Sequence, residues 1–272
     1  MLSWKEYPKT IGGLSRYLSW FKEFRRPRDI HNMSKHKDQI SQVSLFGQEY
    51  DSTKKLLVEN IEQGSVGDNY FLTVVAALAE RGNTIPNIFH QKKYTHEGIF
   101  ALKIYVKGRP EDVTVDDLFP IYNNQPAFVK PTKDGGWWLP LLEKAYAKVN
   151  INYEMISSGS QVEAARFLTG APAKTFENSK FSTDEIWSHL EINHDSGYVI
   201  TTACFIDNQG LVSGQGYIVK GLVDAGSTRL VRMKNPFKKA DPTKPQWSGD
   251  WNSNSTLWTP ELKKVASVDR LG

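Results

Sequence analysis

One stretch, residues 63–80, constrains the fold of this chain more than any other. It opens with a loop that contains Gly64, Ser65 and Gly67, and it continues from Asp68 as a run that is apolar on nearly every side. A helix that is apolar all round is buried rather than lying on a surface. We therefore predict a buried helix that begins at this point, with the carboxylate of Asp68 capping the free N–H groups of its first turn.

The start of such a helix is a good position for a nucleophile, because the helix dipole and the free N–H groups stabilise an anion there. The residue at this position is Asn69, whose amide is neither basic nor nucleophilic near neutral pH. The stretch resembles the active-site motif of the calpains, calcium-dependent cysteine proteases with a papain-like fold, which reads Gln-Gly-x-x-Gly-Asp-Cys-Trp-Leu-Leu. Gln63, the glycines, Asp68 and Leu72 match, whereas Asn69 stands at the cysteine position and Tyr70 at that of the tryptophan.

Further segments resemble calpains in the same order along the chain. Residues 141–148 read Leu-Leu-Glu-Lys-Ala-Tyr-Ala-Lys, nearly word for word a helix of the family, and matches follow at 158–170, 235–237 and 247–252. The resemblance implies an α+β fold, a papain-like protease core with a helical half and a mostly β half. It also implies that the second half is truncated, since the final strand expected in the family has no counterpart.

Three regions are predicted along the chain: an N-terminal arm (1–50), a helical subdomain (51–188) and a β subdomain (189–272). Alternating and helical patterns of apolar residues predict a helix at 138–149 and strands at 98–106, 113–117, 198–206, 216–221 and 230–234.

The arm contains apolar residues at helical spacing, which predict an amphipathic helix that binds another protein. These residues are Ile11, Leu14, Leu18 and Phe21. An arm folded back on its own domain is the alternative. A mitochondrial presequence is disfavoured by Glu6 and Glu23.

Composition excludes several classes of protein. The net charge of +4 is mild and its basic residues are matched by 30 acids, so nucleic-acid binding is not indicated. No apolar run is long enough to span a membrane. The one cysteine, Cys204, cannot form an internal disulfide, which favours a reducing compartment such as the cytoplasm. Because its neighbours are apolar and β-prone, we expect Cys204 to be an inert core residue.

The resemblance also assigns the rest of the catalytic machinery. Gln215 stands at the position of the catalytic histidine, Asn235 at that of the asparagine that orients it, and Gln63 at that of the oxyanion donor. An amide cannot carry a proton across pH 7. The nucleophile and the base are therefore both missing, and we predict no proteolysis. We also expect Asn69, Gln215 and Asn235 to close the former site with neutral hydrogen bonds.

The family binds calcium in its core through oxygen ligands that include carboxylates. The matching positions here are Asn60, Glu163, Gln246 and Ser253. Since Glu163 is the single carboxylate that remains, we expect no calcium and no other cofactor.

The sequence thus predicts an inactive calpain-like protein that acts as a structural or protein-binding subunit of a larger assembly. By analogy with the family, this assembly is placed in the cytoskeleton or the ciliary axoneme. Two alternatives stay open: an active calcium-dependent endopeptidase with unorthodox residues, and a regulator whose inert cleft holds a peptide without cutting it.

Overall fold

A computed structural model describes residues 23–33, 43–48, 50–51, 53, 56, 58–238, 247–252 and 254–266. The chain divides into two compact units, Met1–Ala173 (unit 1) and Lys174–Gly272 (unit 2). Both contain helices and antiparallel sheet, so the predicted α+β class is confirmed. The predicted arm residues Ile11, Leu14, Leu18 and Phe21 lie outside the described residues.

Unit 1 contains the buried helix predicted from the sequence and four other described helices. They are α1 (Pro27–Met33), α2 (Asn69–Ala79), α3 (Thr84–Ile88), α4 (Trp138–Val149) and α5 (Gln161–Thr169). Every residue of α2 from Tyr70 to Ala79 is buried, as the all-apolar pattern predicts. α2 packs against α5 and α3, and α4 has the bounds predicted from its periodicity.

The strands of unit 1 form two small antiparallel sheets. They are β1 (Glu23–Arg25), β2 (Ile99–Val106), β3 (Arg109–Asp116), β4 (Phe119–Tyr122) and β5 (Gln125–Pro126). β2 and β3 pair along their whole length as a hairpin, and the other three strands lie in the order β1-β4-β5. Phe100, Leu102 and Ile104 of β2 are completely buried, so alternate residues of this predicted strand face the core.

Two contacts fasten the N-terminal segment to the rest of unit 1. β1 pairs antiparallel with β4, and the guanidinium of Arg26 forms an ion pair with the nearly fully buried carboxylate of Asp117. The hydroxyl of Tyr94 donates to the same carboxylate. Residues 23–26 of the predicted arm therefore pack on unit 1.

Unit 2 is built around one three-stranded antiparallel sheet. Its elements are a short 3-10 helix (Asn178–Lys180), α6 (Thr183–Asp195), β6 (Thr201–Ala203), β7 (Gly216–Asp224), β8 (Arg229–Lys234) and α7 (Pro260–Ala266). The strand order is β6-β7-β8, with a bulge in β7 between Val219 and Gly221. The predicted subdomain boundary at residue 188 falls inside α6.

The strand predicted at 198–206 is wrong in its extent, because the structure keeps only β6. After Ala203 the chain turns back, and the N–H of Gly214 donates to the carbonyl of Cys204 over 2.7 Å. This turn leaves Phe205 and Ile206 exposed and Cys204 half-buried. The expectation that Cys204 is a core residue is therefore also wrong.

Candidate functional site

The first group of candidate site residues lies at the start of α2 in unit 1. Asn69 is the first residue of this helix, so it occupies the position that suits a nucleophile. Its side chain is partly exposed, and the described residues of unit 1 make no hydrogen bond to it. The carbonyl of Asn69 accepts from the hydroxyl of Thr73 over 2.7 Å, which is an internal contact of the helix. An asparagine here offers a neutral amide and no thiol.

Asp68 does not cap α2 as the sequence predicts. It stands at the N-cap position, but its side chain accepts no hydrogen bond from the first turn. The carboxyl group is instead fully buried, where Oδ1 accepts from Nε2 of Gln63 at 3.2 Å. Burial raises the pKa of Asp68 to about 7, and the hydrogen bonds from Glu143 and Gln63 oppose this rise only in part.

Glu143 of α4 is the second carboxyl group at this place. It is also buried, and its two oxygens lie 3.2 and 3.3 Å from the backbone nitrogen of Val129, which donates to them. Burial, followed by the negative charge of Asp68, holds the pKa of Glu143 well above its usual range. Two neighbouring carboxyl groups that are both buried do not both ionise, so the pair retains a proton near neutral pH.

Gln63, predicted as the oxyanion donor, already uses its amide hydrogens locally. Nε2 donates to the carbonyl of Val66 over 2.8 Å and to Oδ1 of Asp68. An amide nitrogen carries two hydrogens, and both have acceptors in this loop. Donation to a developing oxyanion would therefore break one of these hydrogen bonds.

Tyr70 fills the space next to Asn69 with a fixed aromatic side chain. Its hydroxyl donates to the carbonyl of Ile156 over 3.2 Å and lies 3.4 Å from the hydroxyl of Tyr146. Gly159 packs against the ring so closely that a Cβ at this position would overlap it. These contacts lock the Tyr70 ring into the core of unit 1.

The second group of candidate site residues lies at one end of the sheet in unit 2. Gln215 comes directly before β7 and Asn235 directly after β8, and the antiparallel register of these strands brings the two residues together. Nε2 of Gln215 donates to Oδ1 of Asn235 over 2.6 Å. The same oxygen accepts from the backbone N–H of Phe237 over 2.9 Å. The predicted link between Gln215 and Asn235 is thus present, whereas a link of either to Asn69 stays a prediction.

The described histidines make other contacts. His90 pairs with the exposed Asp112 over 2.7 Å, and the ring of His189 packs against those of Phe176 and Phe181. His194 lies 3.5 Å from its neighbour Asp195. None of these arrangements joins an imidazole to Gln215 or Asn235 within the described residues of unit 2.

Two of the four residues at calcium positions fall within the described chain. Asn60 is half-buried and has a left-handed backbone with φ of 53°, and Glu163 is exposed in the first turn of α5. Gln246 and Ser253 lie outside the described residues. One amide and one carboxylate supply a single negative charge, which does not fit the donor set that calcium prefers. No cluster of three or more His, Cys, Asp or Glu side chains suited to a metal occurs in the described part of the chain.

The carboxyl pair was not foreseen from the sequence. The available signal is Glu143 itself, a charged residue in the middle of an apolar helix. Such a residue needs a partner when it is buried, but nothing in the sequence identifies that partner as Asp68. Among the described helices, none has the length and apolar character needed to cross a membrane.

Comparison with known proteins places this geometry in a family. The family model described as calpain family cysteine protease matches residues 19–270. The chain is 28% identical over 254 residues to the calpain-type cysteine protease ADL1 of Oryza sativa subsp. japonica, a match that covers 89% of the chain. It is 30% identical over 218 residues to human calpain-9 and 31% identical over 214 residues to the human calpain-1 catalytic subunit, each covering 73% of the chain.

The chain spans only a fraction of the length of these relatives. The match covers 11% of the rice protein, 30% of calpain-9 and 29% of the calpain-1 catalytic subunit. The comparison therefore concerns the protease domain of each relative rather than the whole protein.

Proposed function

Because this chain belongs to the calpain family of cysteine proteases, yet carries amides at the positions of the thiol and the imidazole, we propose that it has no peptidase activity. It serves instead as a structural or protein-binding subunit of a larger assembly. The observation that carries this proposal is the hydrogen bond between Gln215 and Asn235.

The pair of Gln215 and Asn235 reproduces the shape of a base held by its orienting residue, but not its chemistry. In a cysteine protease the imidazole takes the proton of the thiol and later gives it to the leaving amine. The amide of Gln215 has no comparable proton affinity near pH 7. Asn235 therefore orients a group that cannot transfer a proton.

The candidate residues of unit 1 lack the attacking group. Asn69 places an amide at the start of α2, where a thiolate is needed. Loss of a nucleophile alone typically reduces the rate by roughly a million-fold, and losses within one catalytic unit leave only background catalysis. The carboxyl groups of Asp68 and Glu143 are no substitute, because both are buried and inaccessible to a substrate.

Hydrolysis assays test the proposal directly. The purified chain is incubated with casein and with a fluorogenic peptide, in calcium and in a chelator, beside an active calpain as positive control. We expect no cleavage above the buffer rate under either condition. Cleavage that disappears in Asn69→Ala or Gln215→Ala would overturn the proposal. Cleavage unchanged in both variants comes from a contaminating protease.

The double variant Asn69→Cys with Gln215→His serves as a second control in the same assay. Each single variant restores one of the two missing groups, and we expect both to stay inactive because a thiol and its base act as a unit. A gain of activity confined to the double variant would show that the rest of the site is still suited to the chemistry.

Calcium is not part of the proposed function. The single carboxylate Glu163 at the described calcium positions supports this view. Isothermal titration with calcium is expected to give no binding at micromolar concentrations. A micromolar dissociation constant would show that ligands other than the matched ones hold the ion.

The proposed assembly is made of proteins, without nucleic acid, and it lies in the cytoplasm, in the cytoskeleton or the ciliary axoneme. This placement rests on family analogy and on the lack of catalytic groups. Affinity purification of the native chain from cytoskeletal and soluble fractions, followed by identification of the proteins bound to it, tests both the partner and the compartment.

A further inference from the structure

The carboxyl pair of Asp68 and Glu143 lies where three segments of unit 1 meet. Asp68 ends the loop of residues 62–68, which leads directly into α2. Glu143 lies in the middle of α4. The third segment is residues 127–130, where the backbone N–H of Val129 donates to the oxygens of Glu143. The carboxyl pair therefore contributes to the contact between the loop, the helix and this segment.

Two backbone hydrogen bonds also hold the loop against residues 127–130. The N–H of Ser65 donates to the carbonyl of Ala127 over 3.0 Å. The N–H of Lys130 donates to the carbonyl of Glu62 over the same distance. The closed position of the loop can thus be followed at defined amide groups.

The carboxyl pair has too few hydrogen-bond donors for two ionised groups. Oδ1 of Asp68 accepts from Gln63, while the two oxygens of Glu143 share one N–H, that of Val129. Oδ2 of Asp68 is buried, and no N–H or hydroxyl group donates to it among the described residues. A buried acceptor without a donor is costly. Glu143 lies within hydrogen-bonding reach of Asp68, so a proton on Glu143 supplies the missing donor.

No cation takes the place of this proton in the described part of unit 1. The positive charge of Lys130 acts to lower the pKa of Glu143, but its amine donates to the carbonyl of Pro126 and its charge also interacts with that of Glu62. The other titratable groups that face the pair or its neighbours are phenols and carboxylates, which add no positive charge. They are Tyr70 of α2, Tyr146 of α4, Glu163 of α5, and Tyr153 and Asp116.

We propose that a proton held between Asp68 and Glu143 is a pH-sensitive switch that keeps the loop of residues 62–68 closed against α4 and residues 127–130. While the pair holds a proton, its carboxyl hydrogen bond joins the loop to α4. When the last proton passes to solvent, two negative charges face each other in a buried site that is short of donors. The loop then moves away, because Glu143 is fixed within a buried helix whereas the loop has no regular secondary structure. The start of α2, with Asn69 as its first residue, becomes more exposed.

The direction of the switch follows from the effect of burial on the pair. Burial raises the pKa of Asp68 to about 7 and that of Glu143 well above its usual range. A group whose pKa is higher in the folded state stabilises that state at low pH, and this contribution is lost as the pH rises through the folded-state pKa. The loop should therefore be closed at mildly acidic and neutral pH and open on the alkaline side. The switch goes beyond the proposed function and does not depend on it.

Hydrogen–deuterium exchange of the full chain tests the switch over a series from about pH 6 to about pH 9. Labelling times are scaled to the pH dependence of intrinsic amide exchange, so that protection factors can be compared between conditions. In the unaltered chain, the protection factors of residues 63–67 and 127–130 are expected to fall about tenfold or more as the pH rises. Strand β2 lies outside this contact, and its protection factors should change by less than about twofold.

Matched variants assign the change to the carboxyl pair. In Glu143→Gln the amide oxygen accepts from Val129 and the amide nitrogen donates to Asp68 at every pH. Protection of the loop should then be the same at both ends of the series. Glu163→Gln makes the same substitution at an exposed carboxylate of unit 1, and the pH dependence should remain. Thermal unfolding establishes that each variant is folded, and Asp68→Asn, whose amide donates to Glu143, replaces Glu143→Gln if the latter unfolds.

Lys144 of α4 titrates over the same range, and the position of the change separates its effect. Burial lowers the pKa of Lys144 to about 8. Its amine donates to the carbonyl of Asp116 over 3.0 Å and to that of Leu118 over 2.7 Å. Loss of its proton would therefore lower protection near residues 116–118, and it would do so equally in Glu143→Gln.

Three results would overturn the inference. The first is protection of residues 63–67 and 127–130 that stays constant over the pH series. The second is a fall of equal size in the Glu143→Gln variant, and the third is a fall spread evenly over unit 1, which indicates global unfolding. None of these results bears on the proposed loss of peptidase activity, because that claim depends on the hydrolysis assay alone. Conversely, hydrolysis by the unaltered chain would overturn the proposed function and leave the switch in place.

Discussion

Asp68 and Glu143 form a buried pair of carboxyl groups beneath the start of α2, and no ion pair neutralises either of them among the described residues. The positive charge of Lys130 acts to lower the pKa of Glu143, but its amine donates to the carbonyl of Pro126. Tyr70, Tyr146 and Tyr153 also face the pair. The environment therefore favours the protonated form.

This pair predicts that the protein loses stability as the pH rises. Burial raises the pKa of Asp68 to about 7 and that of Glu143 well above its usual range. The folded state then binds more protons than the unfolded state between about pH 4 and pH 7. The free energy of unfolding should fall across this window, with a slope of up to about 1.4 kcal/mol per pH unit for one group. Urea unfolding at a series of pH values measures this slope.

Glu143→Gln isolates the contribution of the carboxyl pair to the pH dependence of stability. The amide oxygen can still accept from the N–H of Val129, while the like charge beside Asp68 disappears. The slope of stability against pH should become shallower. Glu191→Gln, an exposed residue of α6, should leave the slope as it is in the unaltered chain. Equal slopes in the Glu143→Gln and Glu191→Gln variants would contradict the assignment.

Ile151 is strained, and its replacement by glycine should stabilise the protein. Its φ is 81°, in the left-handed region that a β-branched residue rarely adopts, and its side chain is 44% exposed. Ile151→Gly removes a backbone cost of about 1–2 kcal/mol and loses little packing. Ile151→Ala is the control, because it shortens the side chain without relieving the backbone. The midpoint temperature of thermal unfolding should rise for Ile151→Gly and not for Ile151→Ala.

Two glycines with the same backbone conformation allow a matched test of the contact between Arg26 and Asp117. Gly98 has φ of 62°, and a Cβ on it would overlap both members of that ion pair. Gly82 has φ of 61° and open space around it. Gly82→Ala should cost about 1 kcal/mol, the backbone penalty alone. Gly98→Ala should cost about 1–3 kcal/mol more, because displacing Arg26 leaves the buried carboxylate of Asp117 without its cation. Similar unfolding free energies for the two variants would show that the ion pair contributes little.

Local patterns in the sequence predict the elements whose burial is set by their own residues. The bounds of α4 and the buried face of β2 follow from the apolar side chains of each element: α4 is buried on nearly every side over residues 138–147, and β2 buries alternate residues. The strand predicted at 198–206 ends early because Phe205 and Ile206 are β-prone but lie beyond the last backbone hydrogen bonds, which Cys204 makes with the residues before β7. Strand propensity describes a fit to a sheet, and it does not create one.

The contacts of the candidate site residues were not predicted from local sequence patterns. Asp68 has the residue type and the position of a helix cap, and capping is the interaction that nearby residues predict. Its actual environment is set by Glu143, which comes from another helix far along the chain. Gln63 differs, because its partners Val66 and Asp68 are near it in the sequence, but the hydrogen bonds between them depend on how the loop folds. The sequence shows which groups are present at the site, but it does not predict their protonation states or their hydrogen bonds.

The pair formed by Gln215 and Asn235 leads to a last prediction, about stability rather than catalysis. Oδ1 of Asn235 accepts from both Gln215 and the N–H of Phe237. Asn235→Ala leaves these two donors without their acceptor and should cost about 1–2 kcal/mol. Gln215→Ala removes one donor and keeps the bond from Phe237, so it should cost about 0.5–1 kcal/mol. If the site is a structural element, as proposed, the double variant should cost no more than Asn235→Ala alone, because the shared bond is lost only once. Urea unfolding of the three variants measures this, and additive losses would show that the two residues act independently.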